Sequence, residues 1–127
     1  MNSASPSCLL LVEDDPLVRD TVALMLEEDG FAVTEAADAH DALQLVRAGL
    51  PAQMIVTDVD LGPGPSGADL ADELHRVRPE LCIIFITGRA ASLRDREADE
   101  REAVLAKPFP MHALSDMIRR MAQGGSA

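Results

Sequence analysis

Four short apolar runs in this chain each end on residues able to do chemistry. Leu9 to Val12 runs into Glu13-Asp14-Asp15, Met54 to Thr57 into Asp58, Ile83 to Ile86 into Thr87, and Val104 to Ala106 into Lys107. If the runs are parallel strands, their carboxyl ends share one edge of a sheet, where open α/β folds bind ligands. Acids, a hydroxyl and an ammonium then meet in one crevice. A carboxylate can be the nucleophile of covalent phosphoryl transfer, giving an acyl phosphate. Clustered carboxylates repel one another. A hard cation such as magnesium, which takes oxygen ligands and keeps several waters, relieves that repulsion in a shallow site.

The elements that must hold these residues alternate along the chain. Asp15-Pro16 offers an N-cap followed by proline at the first helical position, and Leu17, Thr21, Leu24 and Met25 recur at helical spacing until Gly30 ends the helix. Ala32 to Ala36 is a short strand. Asp38 can cap a helix carrying Ala42, Leu43, Leu45 and Val46 that stops at Gly49 and Pro51. After Met54 to Asp58 comes a loop of Gly62-Pro63-Gly64-Pro65-Ser66-Gly67, and then a helix with Leu70, Leu74 and Val77 on one face. Continuous apolar runs in the first, third and fourth strands predict burial on both faces, as in a parallel sheet covered by helices. The expected fold is α/β, a doubly wound five-stranded parallel sheet with up to five helices. The weakest helix spans Ala90 to Glu102, where Leu93 is the one large apolar residue, so that segment is expected to be short or poorly ordered. Residues 1–7 and 123–127 are expected to be frayed ends around a single domain of residues 8–122.

Composition narrows the surroundings of the crevice. A chain of 127 residues is one domain by size, and its 47% apolar content with only 2% aromatics implies an aliphatic core. So few aromatics leave little on which bases could stack. The net charge of −11 disfavours nucleic acid and anionic membrane surfaces and favours cations and basic protein partners. Cys8 and Cys82 lie at the starts of apolar runs, suiting free thiols in a reducing compartment. No leader or membrane-length run is visible, so a cytoplasmic location is expected. His40, His75 and His112 fall on separate predicted helices and receive no metal role.

In order and spacing, the acid pair, the single aspartate, the threonine and the Lys107-Pro108-Phe109 ending resemble the receiver domain of two-component response regulators, from about Leu9 to Met121. The resemblance implies a flavodoxin-like (βα)5 fold and a phosphoaspartate switch rather than a turnover enzyme. In it, Asp58 is the phosphoacceptor, while Thr87 and Lys107 contact the phosphoryl oxygens. It also implies that Glu13, Asp14, Asp58 and the backbone carbonyl of Asp60 hold Mg2+ or Mn2+, that Asp15 caps the helix beside the site, and that Lys107-Pro108 is a cis peptide. The implied partners are a histidine kinase or histidine phosphotransfer protein and a downstream protein target, with the receiver a monomer or a phosphorylation-dependent dimer. Only Gln123 to Ala127 follow the last predicted helix, so a stand-alone receiver acting through another protein is expected.

Three departures qualify the resemblance. The interval from Asp58 to Gly67 is one residue longer than is common, Val104 stands where many receivers carry a switch aromatic, and Thr87 to Lys107 is about two residues short. With Phe85-Ile86-Thr87-Gly88, the short interval resembles a subclass whose fourth strand ends Phe-x-Thr-Gly. Two alternatives are weaker. Asp58-Val59-Asp60 resembles the nucleophile motif of haloacid-dehalogenase-like phosphatases, but those enzymes place the nucleophile first and the acid pair last. A non-phosphorylated interaction receiver would not need every catalytic position filled.

Overall fold

The computed structural model describes residues 8–89, 93, 96 and 100–122. Five strands form one parallel sheet in the order β2-β1-β3-β4-β5: β1 (Cys8–Val12), β2 (Ala32–Ala36), β3 (Met54–Asp58), β4 (Cys82–Thr87) and β5 (Glu102–Ala106). Four helices are present among the described residues: α1 (Pro16–Glu28), α2 (Ala39–Arg47), α3 (Gly67–Val77) and α4 (Met111–Ala122). This is the flavodoxin-like arrangement expected. The expected frayed ends lie outside the described residues. So does most of the predicted helix from Ala90 to Glu102, although Leu93 is buried in the core and Glu102 belongs to β5.

Side-chain alternation divides the core into two layers. Leu10, Val12, Ile55, Ile83 and Phe85 face α2 and α3, where they meet Ala42, Val46, Leu70 and Leu74. Leu9, Leu11, Val56, Ile84 and Ile86 face the other way, onto Ala23 and Leu26 of α1 and Leu114 and Ile118 of α4. Strands buried on both sides are apolar along their length, which is why β1, β3 and β4 carry continuous apolar runs.

Helix starts follow local chemistry. The Asp15 carboxylate accepts from the amides of Leu17 and Val18 at 2.9 and 3.3 Å, and Asp38 accepts from the amide of Asp41 at 2.8 Å. Ser66 and Asp69 form a reciprocal capping box at the start of α3. The expected stripe on α1 is corrected. Leu17 and Leu24 are 75% and 57% exposed, and the helix instead buries Ala23 and Leu26 with Val22 against them. Both stripes have helical spacing, so periodicity alone does not choose between them. Val77 of α3 is likewise exposed.

Two arginines tie the α2/α3 side together. Arg78, just after α3, donates to the carbonyls of Leu50 at 2.6 Å, Ala52 at 3.2 Å and Val46 at 3.3 Å, satisfying the end of α2 and the turn into β3. Arg96 makes a two-pronged pair with Glu102, both contacts 2.8 Å, reaches Asp72 at 3.0 Å, and stacks 5.3 Å over the Phe85 ring. Replacing Arg78 by Met keeps the apolar stem but removes the side-chain donor from the Leu50 and Ala52 carbonyls, while Val46 keeps the Gly49 amide. Urea unfolding of Arg78→Met is expected to show a loss of about 2 kcal/mol; an unchanged midpoint would mean these bonds contribute nothing.

Candidate functional site

Parallel register brings the chemical residues to one edge. Val12 pairs with Thr57, Asp58 with Ile86, and Thr87 with Ala106, so the residues that follow or end these strands emerge side by side. Asp58, the last residue of β3, is only 9% exposed. One of its carboxylate oxygens accepts from Lys107 Nζ at 2.8 Å and the other from the backbone amide of Asp60 at 3.1 Å. Lys107 reaches it from the end of β5 across 49 residues of sequence, and the Lys107-Pro108 peptide is cis, as expected. Burial by itself would lower the Lys107 pKa. Its hydrogen bond to Asp58 and its attraction to Asp58, Glu13 and Asp14 outweigh that, and the net shift is upward.

Glu13, 8% exposed, is held at both ends of its backbone. Its amide donates to the Ala36 carbonyl at 3.1 Å, its carbonyl accepts from Arg19 Nη1 at 2.8 Å, and its side chain accepts from the Asp15 amide at 3.1 Å. Burial is the main cause that pushes its pKa from 4.5 up to about 7; the Asp14 side chain and the Asp58 charge add to the rise, while the Asp15 amide and Lys107 oppose it. The hydroxyl oxygen of buried Thr87 accepts from the Arg89 amide at 2.8 Å, which leaves the hydroxyl proton available to another acceptor. The Thr87 carbonyl accepts from the Lys107 amide at 2.8 Å, joining the ends of β4 and β5.

The structure therefore brings Asp58, Lys107, Glu13 and Asp14 into mutual electrostatic reach, with Thr87 beside them. The expected donors are carboxylate and carbonyl oxygens, which suit a hard cation, and burial together with the adjacent Asp14 and Asp58 makes the ionised form of Glu13 unfavourable until such a cation offsets it. Among the described residues, however, no three His, Cys, Asp or Glu side chains are already gathered as a ligand cluster. Asp58 directs its oxygens to Lys107 and to the Asp60 amide instead. His75 lies elsewhere, its ring within 3.3 Å of the Leu81 carbonyl.

Three contributors escape sequence reasoning. Thr57 is buried and donates to the Asp58 carbonyl at 2.9 Å. Arg19 touches Glu13 from α1, with nothing in the sequence but its residue type to single it out. Gly67 packs so closely on the phosphoacceptor candidate's backbone that an added Cβ would lie 2.2 Å from the Asp58 carbonyl oxygen. Across the mouth, a Cβ at Gly62 would come within 3.2 Å of an Asp14 carboxylate oxygen, so the Gly-Pro loop leans on the acid pair.

Comparison with known proteins agrees with this geometry. The family model described as the response regulator receiver domain matches residues 9–119. The response regulator receiver protein CpdR of Brucella abortus is 36% identical over 118 residues, covering 89% of this chain and 94% of that protein. The sensor kinase CckA of the same organism is 33% identical over 118 residues, which cover 91% of this chain but only 12% of the kinase. The crystal structure of a response regulator receiver protein from Sinorhizobium medicae superposes with a TM-score of 0.84 at 22% identity, covering 93% of this chain and 95% of that one.

The raised Glu13 pKa has a signed consequence. Its folded value lies above the unfolded one, so ionised Glu13 costs stability above about pH 7, and the cost is relieved as pH falls from 7 towards 4.5. Without divalent cations, Glu13→Gln is expected to be more stable than the unaltered protein at pH 8 by roughly 1–3 kcal/mol, the difference closing near pH 5. Urea midpoints across that range check it; a pH-independent difference would contradict the assignment. Gly67→Ala should destabilise by about 2 kcal/mol through overpacking against Asp58, although alanine is the better helix former. A variant as stable as the original would show that the backbone yields there freely.

Proposed function

This chain belongs to the response regulator receiver family, and on that premise we propose that Asp58 takes a phosphoryl group from a histidine kinase or a histidine phosphotransfer protein and thereby switches binding to a protein target. The observation that carries the reading is the 2.8 Å contact between Lys107 Nζ and the buried Asp58 carboxylate, a nucleophile held beside its counter-ion at the carboxyl edge of the sheet. Asp58 attacks phosphorus, the phosphorus–nitrogen bond of the donor breaks, and an acyl phosphate forms. Lys107 then exchanges the lost carboxylate charge for a phosphoryl oxygen, and Thr87, whose hydroxyl oxygen accepts from the Arg89 amide, donates its proton to another. Magnesium or manganese held by Glu13, Asp14, Asp58 and the Asp60 carbonyl would neutralise charge on the transferring oxygens.

The surroundings support a protein donor rather than a small substrate. Leu17 and Val18 are exposed on the first turn of α1, immediately after the acid pair, and offer apolar surface to a partner that must reach Asp58. The surplus of acids favours basic protein surfaces over nucleic acid or membrane. No helix among the described residues is long and apolar enough to cross a membrane, and we place the protein in the cytoplasm. Val104, 43% exposed on the edge strand β5, gives the response no aromatic ring to swing inward, so the output must run through backbone and packing of the β4, β5 and α4 face. The modified form is a monomer or a phosphorylation-dependent dimer. On this reading phosphoryl transfer is stoichiometric, a switch rather than the turnover of a haloacid-dehalogenase-like phosphatase.

Acetyl phosphate with magnesium is expected to add one base-labile phosphoryl group, read by intact mass, to the unaltered protein and none to Asp58→Asn. Lys107→Ala should still label but lose the change in target affinity. Labelling that persists in Asp58→Asn, or sustained hydrolysis of small phosphoesters at about 1 per second or faster, would overturn the reading.

A further inference from the structure

Arg19 is a partly buried cation joined to the proposed magnesium site without being one of its ligands. It sits one turn into α1, where its amide donates to the Asp15 carbonyl at 2.9 Å. Its Nη1 donates to the Glu13 carbonyl at 2.8 Å, and its Nε pairs with a Glu35 carboxylate oxygen at 3.3 Å. Glu35 is fixed in turn on β2, in register with Leu11 of β1. The guanidinium thus bridges a strand, a helix and a single peptide group.

That peptide group is the one joining Glu13 to Asp14. Its carbonyl is the Glu13 oxygen that Arg19 holds, and the Glu13 amide on the other side is held by Ala36. A peptide is planar, so fixing its carbonyl direction fixes the plane from which both acidic side chains depart. We propose that Arg19 is a positioning residue for the magnesium-site acids: by anchoring the Glu13-Asp14 peptide to Glu35, it aims both carboxylates at the cation. The inference rests on the magnesium reading given above. It matters because magnesium requires near-octahedral geometry at short distances, and outer groups that orient its ligands typically change metal affinity by about 10–100-fold.

Charge and geometry predict opposite signs. As a point charge, Arg19 repels a divalent cation, and its removal would tighten binding; as a clamp, its removal loosens the acids and weakens binding. Arg19→Met keeps the apolar stem and removes the donors, and Arg19→Gln serves if the methionine variant does not fold. Isothermal titration of the full chain with magnesium chloride, at a temperature where circular dichroism shows each variant folded, is expected to give about 10-fold weaker affinity for Arg19→Met. Arg19→Lys, whose ammonium can still reach the Glu13 carbonyl, should recover part of the loss. Arg78→Met removes comparable arginine-to-carbonyl bonds far from the acids and should bind magnesium as the unaltered protein does. Unchanged or tighter binding by Arg19→Met, or an equal loss in Arg78→Met, overturns the positioning role. Absence of magnesium binding by the unaltered protein overturns the metal reading itself, and this inference with it.

Discussion

Among the described residues, the Lys107 ammonium lies within electrostatic reach of three carboxylates, Asp58, Glu13 and Asp14, at the carboxyl edge of this sheet, and the rest of the molecule holds that arrangement in place. Glu13 and Asp58 are both buried, where each ionised acid needs a partner, yet Lys107 is the cation that contacts Asp58 and is felt by all three. Lys107 overcomes its own loss of hydration through Asp58. For Glu13, burial first and then the neighbouring Asp14 and Asp58 outweigh Lys107 and the Asp15 amide, and its pKa is raised. A buried acid beside two others favours a bound cation, and an aspartate paired with a lysine can exchange that pairing for a phosphoryl oxygen. Holding these charged groups in register at one edge requires a firm support beneath them.

The apolar sheet meets that requirement. β1, β3 and β4 are sealed on both faces, so the strand ends that carry Glu13, Asp58 and Thr87 cannot shift without disturbing two cores at once. Polar fasteners hold the perimeter where apolar packing stops. Arg78 closes the end of α2, and Arg96 links β5 and α3 over Phe85. Ser115 and Arg119 of α4 bond the side chain and carbonyl of Asp29 at the end of α1. Arginine suits all three places because its planar fork can serve several acceptors.

Much of the site was legible because its information is local and ordinal. Each chemical residue follows an apolar run, and parallel topology turns four sequence positions into one place. Asp15 and Asp38 declare themselves as caps by type and by the residues after them. The face of α1 was not legible: Leu17, Thr21 and Leu24 have the same helical spacing as the stripe that is buried, and tertiary packing selected Ala23 and Leu26. Gly67 and Arg19 were hidden for a different reason. Their roles depend on contact with backbone atoms 9 and 6 positions away, at Asp58 and Glu13, and a carbonyl leaves no mark in a sequence.

The close approach of Gly67 to Asp58 has a consequence for how such a protein can diversify. The Gly67 amide bonds the Val59 carbonyl at 2.8 Å, so the intervening loop leaves and re-enters the fold at a clasped neck. Within that neck the Asp60 amide holds the Asp58 carboxylate at 3.1 Å and Gly62 sits against Asp14, so the room for change that the nucleophile does not register is at the tip, from Pro63 to Pro65. A segment tied to the reacting atoms at its first turn but not at its tip can vary at the tip while those atoms stay in place. Insulation of one signalling pair from another can then accumulate in this collar while the chemistry inside it stays constant.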